Sequence, residues 1–206
     1  MPDGYLTVKR FAEAEFTEKR SRFIGAVMPA DTLPEVEAFL DSVRKTHRDA
    51  RHNVFAYRLL TGAKRCSDDG EPQGTGGMPV LNVLEKAQVT NAVLVVTRYF
   101  GGVLLGAGGL VRAYSHTAHL ALEKAGIAVM EKQALVRVET DYAFHEKLEA
   151  FAENFGAKIT DTRFTERVTV FFVMPLADFA PFCAQLFDFS AGKVKAEKIG
   201  EKFAEK

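Results

Sequence analysis

The sequence predicts an α+β protein of two domains, and three observations lead there. The second half alternates strand-like and helix-like segments in the order β-α-β-β-α-β. The first half carries its own strands and helices, with a buried-looking run, AVLVVT, at its centre. Between the halves, Ile127–Lys132 reads as a linker, dividing 1–130 from 131–206. A chain of 206 residues can bury one good core or two small ones.

In the first half, YLTVKRFAEAEFTEKRSRFIGAVMPA suggests two early strands, with Phe23, Ile24, Ala26 and Val27 entering the core. Asp31, Thr32, Pro34 and Glu35 form a helix start, with a capping oxygen, a first-turn proline and an acid near the dipole's positive end. That helix runs through VEAFLDSVRKTH. NVFAYRLL follows as a strand, GAKRCSDDGEPQGTGGMP as a long loop and PVLNVLEKAQ as a short helix. NAVLVVTRYF is the central strand, and LVRAYSHTAHLALEKAG a helix ended by Gly126.

The second half is more regular. QALVRVETDY alternates like a strand, and AFHEKLEAFAENFG carries Phe144, Leu148, Phe151 and Phe155 at helical spacing, with Gly156 suited to the C′ position. AKITDTRFTE and RVTVFFVMP read as two strands turning near Glu166. LADFAPFCAQLFDFSAG is a helix despite Pro181, and KVKAEKIGE a last strand. The order is that of a ferredoxin-like split βαβ unit, which covers one sheet face with helices and leaves the other open.

Lysine plus arginine and aspartate plus glutamate both number 27, so the formal net charge is zero. A polyanion would therefore be met by a local patch rather than by the field of the whole molecule. No apolar run approaches the roughly 18 residues of a membrane span. The N-terminus lacks the apolar centre of a secretory signal, and the expected setting is cytoplasmic. Cys66 and Cys183 are too few and too far apart for a disulfide framework or a CxxC metal site.

Three stretches carry possible chemistry. RYFGGVLLGAGGLVRAY (98–114) concentrates Gly101, Gly102, Gly106, Gly108 and Gly109 where a buried strand passes into a helix. Such a passage exposes helix N–H groups to an anion, with Arg98 and Arg112 placed to converge on it. The competing reading is a crowded core in which glycines let helix and sheet approach. SDDGEPQGTGGMP places Asp68, Asp69 and Glu71 within four residues. They are either oxygen ligands for a divalent cation or caps for nearby backbone N–H groups. The spacing does not fit an EF-hand, so capping is favoured and no metal is assigned. His47 and His52 flank the basic THRDARHN, and with Cys66 they match no common zinc spacing. Surface or hydrogen-bonded histidines are the favoured reading, and a Cys66–His52 nucleophile pair is the weaker alternative. No GxSxG, HExxH or P-loop pattern occurs.

Four motifs in order, SRFIG, ARHNVFAYRL, SDDGEPQGTGGMPVL and VLVVTRYFGGVLLGAGGLVRAYS, strongly resemble the YigZ/IMPACT family. The resemblance covers nearly all of the first domain, and the second half is similar to the small C-terminal domain of bacterial members. It implies that 1–130 is an IMPACT-type domain. Its fold would be shared with the second domain of a small-subunit ribosomal protein, a domain of elongation factor G and the GHMP kinases. It implies that 131–206 resembles another domain of elongation factor G. The implied role lies near translation, with RNA, the ribosome or a translation factor as partner and no cofactor. The residues this places on one face are Arg22, His52, Arg98, Gly101, Gly102, Gly106, Gly109, Arg112 and Tyr114, to which the binding reading adds Arg51 and Tyr99. The motif loop Asp68, Asp69, Gly70, Glu71 and Pro72 joins them. On this reading the arginines contact phosphates, and Tyr99 or Tyr114 stacks on an unpaired base. The alternative is an enzyme acting on a phosphorylated or carboxylated small molecule. Against it, GAGGLV lacks the serines of the GLGSSA phosphate loop of GHMP kinases. The sequence is silent on oligomeric state.

Overall fold

A computed structural model describes residues 4–206. The chain is α+β and divides into two compact units, Tyr5–Val129 and Met130–Lys206, with Gly4 grouped with the latter. The first contains β2 (Ala12–Glu18), β3 (Ser21–Pro29), α1 (Leu33–Thr46), β4 (His52–Arg58), β5 (Lys64–Ser67), α2 (Gly77–Lys86), β6 (Ala92–Tyr99) and α3 (Ala107–Ala125). The chain passes between the units at β1 (Gly4–Val8) and β7 (Ile127–Thr140). The second unit continues with α4 (Tyr142–Glu153), β8 (Lys158–Phe164), β9 (Val168–Pro175), α5 (Leu176–Phe189) and β10 (Ala196–Glu205).

Three expectations are corrected. The N-terminal segment forms three strands, not two. KRCS is the edge strand β5, paired with β4, rather than loop. No linker occupies Ile127–Lys132, because β7 runs through it without a break.

In the first unit the sheet order is β2-β3-β6-β4-β5, and every pair is antiparallel. β6 lies at its centre and is buried on both faces, which is why AVLVVT reads as continuous apolar sequence. Val93 and Val95 meet Val36, Phe39, Leu40 and Val43 of α1. Leu94 and Val96 face the opposite layer, built from Leu81 and Leu84 of α2 and Leu110, Ala113, Tyr114 and Ala118 of α3. Side chains alternate along a strand, so Arg98 falls in phase with Leu94 and Val96, on the α2–α3 side. α3 lies close to β3 at Gly25, where a Cβ would sit 2.8 Å from the carbonyl oxygen of Thr117. The α1 start matches expectation: Thr32 caps the helix, its hydroxyl accepting from the Glu35 N–H, and a proline occupies the first turn.

In the second unit the strands lie in the order β10-β7-β9-β8, again antiparallel. Ala134, Val136 and Val138 with Val168, Val170, Phe172 and Met174 form one buried face under α4 and α5. Asp141 caps α4 by accepting from the Phe144 N–H, and Gly156 has the positive φ, 67°, of a helix exit. The other face carries ion pairs, among them Arg137–Glu197 and Arg167–Glu139. Glu201, held between Lys132 and Lys198, has its carboxyl drawn down to about 2 by hydrogen bonds from both.

Candidate functional site

Several candidate residues gather around the first turn of α3, and the sheet register explains how. β6 pairs with β3 and β4 so that Arg98 stands directly opposite Phe23 on one side and His52 on the other. All three side chains therefore share the α3 face of the sheet. The loop after β5 brings Glu71 onto the same spot, and α3 brings Tyr114.

Arg98 does not face outward. Its side chain is 7% exposed and that of Glu71 is 4% exposed, and Nη1 donates to Glu71 Oε1 at 2.6 Å. The guanidinium also lies over the rings of Phe23 and Phe100. The Tyr114 hydroxyl donates to the same Glu71 oxygen at 2.8 Å. Burial, then the Glu71 charge, pushes the Tyr114 phenol far above its ordinary range, which keeps it a donor. Tyr114 is fully buried with its ring edge-on to Phe23, so it cannot stack on a base. Base stacking at Tyr114 is corrected by this burial, as is phosphate contact at Arg98 by its pairing.

His52 is ordered from the other side. Its Nδ1 lies 2.8 Å from the Asp69 carbonyl oxygen, which can only accept, so Nδ1 carries the hydrogen. Nε2 faces the carboxylate of Glu71, 3.9 Å from its Oε1. Asp69 sits at φ 44°, and its side chain accepts from the Asn53 N–H at 2.6 Å.

The acidic loop resolves into separate tasks. Asp68 accepts from the N–H groups of Gly74, Gly76 and Gly77, at 2.8, 2.9 and 2.8 Å, and so caps the start of α2 from a distance. Burial raises its carboxyl, but the three backbone N–H groups outweigh that and hold it below the usual range. Gly70 has φ 85°, and Pro72 is exposed beside Glu71. Among the described residues, no group of three His, Cys, Asp or Glu side chains is arranged to hold a metal ion. The Cys66–His52 pairing does not form: the Cys66 sulfur lies 3.6 Å from that of Met78, and burial pushes the thiol up.

The glycines divide the same way. A Cβ on Gly101 would collide with the backbone of Arg20 and Ser21, and the Gly101 N–H donates to the buried Ser21 hydroxyl at 3.2 Å. Ser21 also accepts from Arg98, a role sequence reasoning missed. Gly106 is the N-cap of α3 at φ 72°, ψ 164°, a conformation open in practice to glycine alone. It offers no side chain to the helix start. Gly102 also has positive φ, and Gly109 lies in the first turn.

Two concavities flank that turn. A pocket of about 400 Å³ is lined by Arg51, His52, Glu71, Arg98, Gly106 and Ala107, with Phe100, Leu104 and Leu110 as apolar wall. A groove of about 920 Å³ has Lys19, Lys86, Arg112, His116 and His119 above a floor of Phe16, Val83, Leu105 and Ala113. Arg98 and Arg112 thus line different concavities and do not converge on one anion. The Arg112 guanidinium folds back towards Gly108. Arg22 is exposed and ion-paired with Glu15 at 2.8 Å. Tyr99 is half-buried, covered by Arg22 and 3.0 Å from His47 Nδ1.

Residues 19–122 match the family model of the Impact N-terminal domain, and 138–193 that of a domain of unknown function (DUF1949). The chain is 36% identical over 191 residues to the IMPACT family member YigZ of Escherichia coli (strain K12), covering 89% of this chain and 92% of that protein. This chain belongs to the IMPACT family. IMPACT family member YvyE of Bacillus subtilis (strain 168) is 35% identical over 170 residues, covering 82% and 78% of the two chains. Protein IMPACT of Homo sapiens shares 33% identity over 97 residues, which is 44% of this chain and 30% of that protein. A crystal structure described as that of an hypothetical protein superposes with a TM-score of 0.65 at 32% identity, covering 97% of this chain and 99% of the other. Every lining residue of both concavities falls inside the IMPACT match, apart from Phe16 and Glu18 of the groove. No helix among the described residues is long and apolar enough to cross a membrane.

Proposed function

We propose that this IMPACT-family chain is a translation-linked binding protein that docks on RNA, free or within the ribosome, through the groove along α3. The observation that carries this reading is the charge of the groove. Lys19, Lys86 and Arg112 stand exposed at its edge with Glu18 as the one acid, over an apolar floor that suits the faces of unpaired bases. His116, edge-on to Phe16 at 4.6 Å, is the ring available for stacking there. The formal neutrality of the chain makes such a concentration local, as binding to a defined segment requires.

Catalysis is the weaker reading, because the two elements it would draw on are already committed. The Cys66 thiol is raised by burial, and the Glu71 carboxylate is held by Arg98 and Tyr114. The proposal includes a cytoplasmic setting. It also includes kinship of the first unit with the ribosomal-protein-type fold, and of the second, with strand order β10-β7-β9-β8, with the ferredoxin-like domain of elongation factor G.

Fluorescence anisotropy with single-stranded and structured RNA at low salt tests the reading. Affinity should fall steeply as salt rises and weaken in Lys86→Ala/Arg112→Ala. If neither RNA binds at low salt while a translation factor is captured by the wild type and lost in that variant, the partner is the protein. Loss of both overturns the groove as the docking face.

A further inference from the structure

The pocket on the other side of α3 is built differently, and its unmet hydrogen-bonding capacity defines what it takes. Glu71 receives both of its hydrogen bonds on Oε1; among the described residues, nothing donates to Oε2. Oε2 is not among the fully enclosed atoms that lack a partner, so on a side chain 4% exposed that lines a cavity it stays open to the cavity, where a donor can reach it. Arg98 Nε, by contrast, is fully enclosed without a partner. Gly106 and Ala107 line the pocket where α3 opens, and the N–H groups of Ala107, Gly108 and Gly109 have no acceptor among the described residues, because the Gly106 N-cap has no side chain; Gly109 itself lines the groove. α3 is a 19-residue helix, long enough to develop its full dipole at that end. Arg98 balances the charge of Glu71, so Arg51 and the helix end leave the pocket with a surplus of positive charge. Phe100 and Leu104, exposed by 46% and 83%, supply apolar surface at the rim.

We propose that this pocket binds a small molecule whose oxyanion sits on the free N–H groups that open α3, with an adjacent hydroxyl or amine donating to Glu71 Oε2 and an apolar portion against Phe100 and Leu104. The site opens on the other side of α3 from the groove, with Leu105 common to both linings, and does not depend on RNA binding.

Amide NMR of the full chain, titrated with inorganic phosphate, acetate and phenyl phosphate, tests the site. Saturable shifts are expected at the amides of Gly106–Gly109 and Gly70–Glu71, with phenyl phosphate tighter than inorganic phosphate. The ranking of phosphate against acetate assigns the oxyanion class. Ala107→Pro removes one donor at a position where proline suits a helix start, so the fold is retained. Binding should weaken about tenfold, the loss expected for one charged hydrogen bond. Glu71→Gln should leave the bare anions bound. Shifts that stay linear with probe concentration, that scatter over exposed lysines, or that are unchanged in Ala107→Pro overturn the proposal. Lys86→Ala/Arg112→Ala should leave the shifts intact, so failure of the RNA reading and failure of this one are distinguishable.

Discussion

On the two sides of the first turn of α3, cations of one motif are used in opposite ways. Arg98 ends a central strand, is enclosed by two aromatic rings and is bound to Glu71. Arg112, fourteen residues on, is exposed and has no ion pair among the described residues. The difference comes from phase and not from chemistry. Arg98 falls on the inward face of β6 with Leu94 and Val96, whereas Arg112 falls beside buried Ala113 but on the outer arc of α3. A glycine-rich passage that looks like one cradle is therefore a ridge: a pocket around a buried ion pair on one side and a cationic groove on the other.

The sharpest way to break this comparison is to remove Arg98. Arg98→Ala leaves Glu71 as a buried, unbalanced carboxylate and should cost about 3–5 kcal/mol in urea denaturation, while Arg112→Ala should barely move the midpoint. Equal, small losses in both would mean that Arg98 is not structural. Next, Tyr114→Phe deletes a donor to the same carboxylate with little change of shape. A loss of about 2 kcal/mol is expected, and it should be smaller in a Glu71→Gln background if the two act as one network.

Much of this was legible beforehand and some was not. The β-α-β-β-α-β order of the second unit follows from helix and strand periodicities that are clean between Gln133 and Glu201. The α1 cap is written in Thr32 and Pro34. β5 was missed because KRCS is a four-residue edge strand with no apolar alternation to betray it. The inward role of Arg98 had a signal, since it keeps the parity of Leu94 and Val96, but its place beside a glycine loop suggested the surface. The meeting of His52, Arg98 and Glu71 had none. It depends on the β3-β6-β4 order and on a 27-residue separation closed by a loop.

The capping role of Asp68 gives a smaller, pH-dependent effect. Its folded carboxyl lies below its unfolded value, so its contribution is present above the unfolded pKa and is lost as pH falls through the folded one. Asp68→Ala should cost about 1–2 kcal/mol at neutral pH through the loss of the α2 cap, and Asp68→Asn should flatten part of the acid-side decline in thermal stability. If wild type and Asp68→Asn lose stability in parallel down to low pH, the three N–H contacts do not favour the ionised form.

The claim that the α3 groove is the polyanion face is tested most directly by the salt dependence of RNA affinity. Wild type, Lys86→Ala/Arg112→Ala and Arg51→Ala would be compared at the same set of ionic strengths. The slope of log affinity against log salt should fall by about 2 in the double variant, one for each cation removed, and hold its wild-type value in Arg51→Ala. A double variant with the wild-type slope, or a slope lost only in Arg51→Ala, would contradict the assignment and move the docking face to the other side of the helix.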